Sequence, residues 1–250
     1  MRLVLAIDTG NTQTKIGLFD QGGSLIQALV VPTTDVVDTA ERLLQGWDAD
    51  ITIGWISTSR EWHSEEWAAL SSGRKLRILP VSPVTDWPFA QRYKTPETLG
   101  ADRFAAIVAG CNLYPGRPVL VIDAGTAITY DLASQEPCYL GGAISPGIQM
   151  RYDALHHFTA RLPRMQLGGA QSLIGDSTHN SLRAGVEGAV CKEVEGMIDA
   201  YREQFGSDLI VCLTGGDAGH FENQLKNINF ADAFLVLRGI YFILKHIAST

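Results

Sequence analysis

Positive charge is scarce and scattered in this chain: 20 Lys and Arg stand against 27 Asp and Glu, for a net charge of −7, and no Lys/Arg-rich run gathers what there is. A nucleic-acid partner would find no electrostatic footprint. Long apolar runs are lacking as well, none approaching the ~20 residues of a membrane span. The N-terminus enters its first β-prone run with Arg2 as the only side-chain charge before it and no cleavable segment of signal-peptide form. The expectation is a cytoplasmic protein with neither a membrane nor a nucleic-acid partner. Cysteine is sparse: Cys111, Cys138, Cys191 and Cys212 show no Cys-x-x-Cys spacing, which signals neither a zinc site nor a disulfide framework and leaves them as buried, reduced thiols. The histidines (His63, His156, His157, His179, His220, His246) likewise lack metal-ligand spacing. Trp55, Trp62, Trp67 and Trp87 lack the basic interleaving of a base-stacking platform and read as packing residues.

What is present is an ordinary globular composition, 46% hydrophobic and 19% charged over 250 residues, enough for two modest domains. One pattern then occurs twice, 115 residues apart: Val4-Leu5-Ala6-Ile7-Asp8-Thr9-Gly10-Asn11-Thr12-Gln13-Thr14 and Val119-Leu120-Val121-Ile122-Asp123-Ala124-Gly125-Thr126-Ala127-Ile128-Thr129, identical at six of eleven positions. Each copy is an apolar strand ending in Asp, a Gly two residues on, small polar residues and a second β-prone run. Gly10 and Gly125 allow φ > 0 and close approach of the backbone to a ligand, and the adjacent N–H groups and hydroxyls can cradle phosphate oxygens. Asp8 and Asp123, at strand ends, can hold a hydrated cation beside those phosphates. One Asp-x-Gly turn alone is a common strand connection; repetition with its preceding apolar residues argues for a duplicated domain. Two such hairpins facing one another would make a nucleotide cleft.

Around these hairpins the reading is α/β with mixed sheets. Leu3–Asp8, Lys15–Phe19 and Leu25–Val31 form a meander, followed by a helix at Asp35–Gln45, strands at Ile51–Ser57 and Leu76–Val81, and a short helix at Glu65–Leu70 between them. The Pro-rich stretch Pro80–Pro96 reads as a connection between halves. A helix at Ala101–Leu113 restarts the pattern, with strands at Val119–Asp123, Ile128–Leu132, Tyr139–Ile144 and Leu209–Thr214, and helices at Ile148–Phe158, Ser181–Phe205 and Gly239–Ala248. Glu193, Glu195, Asp199 and Glu203 read as the wet face of the long helix. Thr214-Gly215-Gly216-Asp217-Ala218 offers a third ligand loop at a strand end.

Two further segments carry chemistry. Gly100-Ala101-Asp102-Arg103 sets an acid beside a base at a helix start. There Asp102 either complements the helix dipole or takes a proton from a hydroxyl, and Arg103 is either a solvated charge or a bidentate anion clamp. Gly141-Gly142-Ala143-Ile144-Ser145-Pro146-Gly147 has too many glycines for a plain strand and turn.

In order along nearly the whole chain, Asp8-x-Gly10-Asn11-Thr12-x-x-Lys15, Gly100-x-Asp102-Arg103, Asp123-x-Gly125-Thr126-Ala127-x-Thr129, Gly141-Gly142-x-Ile144-x-Pro146-Gly147, Thr178 with Gly185, and Thr214-Gly215-Gly216 resemble the type III pantothenate kinases. That family lies within the acetate and sugar kinase, chaperone ATPase and actin superfamily. The Gly-x-Asp-Arg and Gly-Gly-x-Ile-x-Pro-Gly elements make the resemblance specific; the hairpins alone indicate the superfamily.

The resemblance implies duplicated actin-like (ribonuclease H-like) domains with a cleft between them, residues 1–95 carrying the first phosphate loop and 96–250 the catalytic Asp and second loop. It implies ATP-dependent phosphorylation of pantothenate to 4′-phosphopantothenate by a homodimer. Asp8, Thr9, Gly10, Asn11, Thr12, Gln13, Thr14, Lys15 and Thr126 match nucleotide-binding positions, and Asp102 the general base. Tyr93, Gly100, Ala101, Asp102, Arg103 and Thr178 match pantothenate-binding positions. Asp123 matches the ligand of a monovalent cation, potassium or ammonium, and phosphoryl transfer calls for Mg2+ near Asp8. Two alternatives stay open: a non-catalytic nucleotide- or metabolite-binding regulator, and a kinase of another small hydroxy acid or sugar.

Overall fold

The computed structural model describes the chain except for residues 1, 11–12, 48, 58–74, 85, 169–171, 223 and 249–250. The helix expected at Glu65–Leu70, with Trp62, His63 and Trp67, lies outside the described residues. The chain divides into two compact units, one of Met1–Pro115, Pro137–Tyr139 and Phe234–Thr250, the other of Gly116–Glu136 and Leu140–Ala233.

In the first unit, β1 (Arg2–Thr9), β2 (Gln13–Phe19) and β3 (Leu25–Pro32) form the expected antiparallel meander. The chain then runs through α1 (Val36–Leu44), and β4 (Asp50–Ser57) and β5 (Leu76–Pro80) add in parallel, giving the strand order β3-β2-β1-β4-β5 among the described residues. Helix α1 buries Val36, Thr39, Ala40, Leu43 and Leu44, the 3.6-residue stripe of an amphipathic helix. That stripe packs with Leu3, Leu5, Ile7, Ile16 and Leu18 of the meander. Strand β1 reads as a nearly continuous apolar run because the sheet is covered on both faces. Its contacts are shared between β4, β2 and a C-terminal helix, α7 (Leu235–Ile247).

Helix α2 (Ala101–Leu113) is buried from Arg103 to Cys111 without a break, the mark of a helix enclosed on all sides. It packs along α7 at backbone distance: a Cβ on Gly239 would overlap the carbonyl of Ala105. The Pro80–Pro96 stretch, expected as a connection between halves, lies inside this first unit. There Ala90–Gln91 (β6) pairs with Cys138 and Tyr139, the first residues of β9 (Cys138–Pro146).

The second unit repeats the plan. Strands β7 (Val119–Ala124) and β8 (Ala127–Ala133) are antiparallel, β9 follows, and β10 (Ile210–Thr214) and β11 (Phe230–Ala231) add in parallel, in the order β11-β10-β7-β8-β9. Helices α3 (Ile148–His157), α4 (Thr178–Arg183), α5 (Ala189–Phe205) and α6 (Ala218–Glu222) accompany the sheet. Val190, Val194 and Ile198, one stripe of α5, share a core with Leu120, Ile122, Val211 and Leu213.

The single helix expected at Ser181–Phe205 differs from the structure in two respects. It starts three residues earlier, and a π-helical turn, Ala184–Gly188, interrupts it between α4 and α5. The wide turn carries a fully buried Glu187, whose carboxylate accepts hydrogen bonds from Tyr152 Oη at 2.7 Å and Gly168 N at 3.3 Å. Such insertions recur at functional sites. The wet face is also only half as expected. Asp199 and Glu203 are exposed, whereas Glu193 pairs with Arg151 and Glu195 accepts from Asn227 Nδ2 at 2.7 Å. Among the described residues, no helix is long and apolar enough to cross a membrane.

Candidate functional site

The repeated motif becomes two β-hairpins, one in each unit. In the first, Asp8 lies opposite Lys15 and Thr9 opposite Thr14, and the turn closes with Gly10 N donating to Gln13 O at 3.0 Å. Asn11 and Thr12 lie outside the described residues. Thr33, just after β3, buttresses the turn: its hydroxyl donates to Gly10 O at 3.1 Å and accepts from Thr14 Oγ1 at 3.2 Å. Trp55 Nε1 donates to Thr9 Oγ1 at 3.3 Å. Neither buttress was legible in the sequence, where Trp55 read as a packing residue.

In the second hairpin, Asp123 lies opposite Thr129, and Gly125 N donates to Ala127 O at 3.0 Å. This turn is one residue shorter than the first. Thr129, rather than the Tyr130 of an ungapped alignment, therefore takes the place of Lys15, and the second hairpin has no cation there. Neither Gly10 nor Gly125 uses the positive φ that glycine allows. Gly10 is required by space, since a Cβ there would stand 2.9 Å from Gln13 O. At Gly125 a Cβ would meet only ordinary contacts, at 3.8 and 3.9 Å.

The second unit gathers more of the expected residues around its hairpin. Gly147 N donates to Thr126 O at 3.1 Å, and a Cβ on Gly147 would overlap the carbonyls of Gly125 and Thr126. The third loop also packs here: Gly215, at φ +104°, lies against the Ala124 carbonyl, and Asp217 N donates to Ala124 O at 2.8 Å. Burial raises the Asp217 carboxyl above its ordinary range, opposed by the nearby His220. Thr214 on β10 and Thr129 on β8 both lie in register with Asp123, so the three side chains share one face of the sheet. Both threonine hydroxyls are buried, and neither has a hydrogen-bond partner among the described residues.

Helix α2 in the first unit begins as expected, with Gly100 at its N-cap and Asp102 in its first turn. Asp102 Oδ1 accepts from Arg103 N at 2.8 Å, while Oδ2 takes no hydrogen bond from a described residue. The carboxylate is thus oriented by backbone and has an oxygen to spare. Arg103 is 8% exposed; its Nη2 donates to Tyr139 Oη at 3.3 Å, and its Cζ lies 5.9 Å from the centroid of the Tyr93 ring. Trp87 stacks on Tyr139 at 5.2 Å and meets Phe104 at 4.5 Å, completing an aromatic wall. Trp87 packs as the sequence suggested, whereas the part of Tyr139 beside Arg103 was not legible, because the two come from distant segments.

A Cβ on Gly100 would overlap Asp102 Oδ1, the end of a movable side chain rather than backbone. Gly100→Ala should therefore fold normally but shift the carboxylate. Such displacement lowers a positioned group's contribution by on the order of 10²-fold. If Asp102 is the base that the resemblance implies, a normal melting curve with a correspondingly reduced kcat is expected; unchanged kcat would refute the link.

Thr178 lies in the other unit as the exposed first residue of α4, after an Ser177 N-cap that accepts from Asn180 N at 3.3 Å. With Ser181, Gly185, Leu155, Leu162 and Leu182 it lines a cavity of about 460 Å³.

A family model described as "Type III pantothenate kinase" matches residues 4–200, most of the chain and both hairpins. The chain belongs to the type III pantothenate kinase family. A type III pantothenate kinase of Christiangramia forsetii is 41% identical over 96% of this chain and 97% of its own length. One of Bacteroides fragilis strain YCH46 is 39% identical over 97% of each. Among solved structures, a Baf family protein from Campylobacter jejuni covers 98% of this chain and 100% of its own at TM-score 0.59 and 23% identity. The activator of the 2-hydroxyisocaproyl-CoA dehydratase from Clostridium difficile, solved with bound ADPNP, covers 99% and 96% at TM-score 0.52 and 11% identity. The likenesses show the fold: α/β, a duplicated actin-like plan, each copy with a mixed sheet and flanking helices.

Proposed function

We propose that this member of the family is an ATP-dependent pantothenate kinase, transferring the γ-phosphoryl group to the primary hydroxyl of pantothenate to give 4′-phosphopantothenate, the first step of coenzyme A biosynthesis. The observation that carries the reading, within the family match, is the start of α2: a carboxylate oriented by the Arg103 N–H, with its second oxygen available, beside a nearly buried guanidinium. Asp102 is the general base, and Arg103, walled by Tyr93 and Tyr139, holds an anionic group of the substrate. Gly100, Ala101 and Thr178 complete the pantothenate positions. The hairpin Asp8–Lys15 and Thr126 hold ATP, Lys15 adding the positive charge that Thr129 does not. In chain order we divide the protein into 1–95, with the first phosphate loop, and 96–250, with the base and the second.

Among the described residues, no group of three or more His, Cys, Asp or Glu side chains converges as a metal cage. The Asp8 carboxylate, near the end of β1, fits Mg2+, which keeps waters and leans on substrate phosphates. Held there, the ion would supply charge neutralisation at the β- and γ-phosphate oxygens. Asp123, flanked in register by two buried threonine hydroxyls with no hydrogen-bond partner among the described residues, offers an all-oxygen donor set that fits potassium or ammonium. Asp123→Ala should abolish the stimulation of turnover by potassium; a potassium response equal to wild type would dismiss the role.

Ile144, Met150, Phe158, Leu173 and Ile174 expose large apolar side chains within one stretch of the second unit, which supports a homodimer that covers them. The reading places the enzyme in the cytoplasm. Its test is an acceptor panel of pantothenate, sugars and small hydroxy acids with ATP: turnover confined to pantothenate is expected, and faster turnover of a sugar would overturn it.

A further inference from the structure

The glycine-rich segment ending β9 holds the second hairpin, and a polar cluster holds that segment. Arg151, in the first turn of α3, donates through Nε to Pro146 O at 2.8 Å and through Nη2 to Ser145 Oγ at 2.8 Å. The same Nη2 reaches Glu193 Oε1 and Oε2 at 2.9 and 2.8 Å, and Ser145 Oγ donates to Glu193 Oε1 at 2.6 Å. Arg151 N closes the turn by donating to Gly147 O at 3.1 Å. Every partner here is in the second unit, and the ion pair is largely covered, at 22% and 35% side-chain exposure.

The cluster ends where the hairpin begins. Gly147 N donates to Thr126 O, and there is no room for even a methyl group between Gly147 and the Gly125 and Thr126 carbonyls. Thr126 itself is exposed, so the backbone behind it is what sets its position. Packed contacts of this kind transmit displacement rather than absorb it.

We propose that Arg151 and Glu193 are positioning residues for the nucleotide: they lock the Ser145–Gly147 turn, which in turn holds the Gly125–Thr126 hairpin in its phosphate-binding position. The inference rests on the reading that this hairpin holds ATP. Glu193 is thereby assigned a task its place on a helix face does not announce, 42 residues from Arg151 in sequence.

ATP affinity, measured by titration calorimetry on the full chain, tests it with Glu193→Ala, Arg151→Ala, the double variant and Thr126→Val. Glu193→Ala and Arg151→Ala should each weaken ATP binding about tenfold, with the double variant no weaker than either, as coupled neighbours behave. The KM for pantothenate should stay near wild type. Glu193→Gln, which keeps one acceptor oxygen for Arg151, should recover part of the loss; it carries the test if Glu193→Ala fails to fold. Weakened binding in Thr126→Val with wild-type affinity in the Arg151 and Glu193 variants would overturn the positioning role alone. Wild-type affinity in all of them would overturn the hairpin reading and this inference with it.

Discussion

Asp102→Asn is expected to lower kcat for pantothenate phosphorylation by about 10²–10⁴-fold, the usual contribution of a positioned general base. Asparagine keeps the size of the side chain, and its carbonyl oxygen can still accept from Arg103 N, so the start of α2 is preserved. What is lost is the capacity to take the hydroxyl proton. Loss of a carboxylate near a helix N-terminus costs only about 0.3–1 kcal/mol at an exposed site, so folding should be little affected. ATP affinity should also stay close to wild type. Initial rates, a melting curve and nucleotide titration on the same preparation separate these effects; retained turnover would remove Asp102 as the base.

Gly239→Ala is expected to destabilise the protein by about 2 kcal/mol, a large overpacking cost less the helix preference of alanine. Overpacking a tight contact costs about 1–3 kcal/mol or more, and the obstacle here is the Ala105 carbonyl, which cannot rotate away as a side chain could. The intrinsic helix preference of Ala over Gly, about 1 kcal/mol, offsets only part of this. Relief requires α2 and α7 to separate, and α2 carries Asp102 and Arg103 at its N-terminal end. The variant should therefore lose activity together with stability. Urea unfolding reads the first and kcat the second; a midpoint equal to wild type would show that the helices have slack at their crossing.

The fold was legible wherever burial follows a simple period. The β1–β3 meander, α1, α2 and β7 emerged within a few residues of their observed limits because each couples an apolar run or stripe to polar punctuation. The long helix of the second unit was not fully legible. Its π turn carries Glu187, whose partners Tyr152 and Gly168 local sequence does not reveal. Likewise the Pro-rich stretch read as a connector, yet Trp87 within it packs on Phe104 and Tyr139.

The candidate site divides along the same line. Asp8, Asp102 and Asp123 stand out because a carboxylate at a strand end or helix start, next to glycine, has a recognisable pattern. The supports behind them are tertiary. Thr33 joins the first hairpin across the meander, Tyr139 reaches Arg103 through β9, and Arg151 with Glu193 secures the turn behind Thr126. The repeat itself misled in one detail: its ungapped alignment hides the shorter second turn, and with it the contrast between Lys15 and Thr129.

The most direct measurement of the central claim is ATP-dependent formation of 4′-phosphopantothenate by the purified full chain, with the product identified by mass and followed with and without potassium or ammonium. Cation-stimulated turnover of pantothenate is the expected result. ATP binding without phosphorylation of pantothenate under any cation would contradict it.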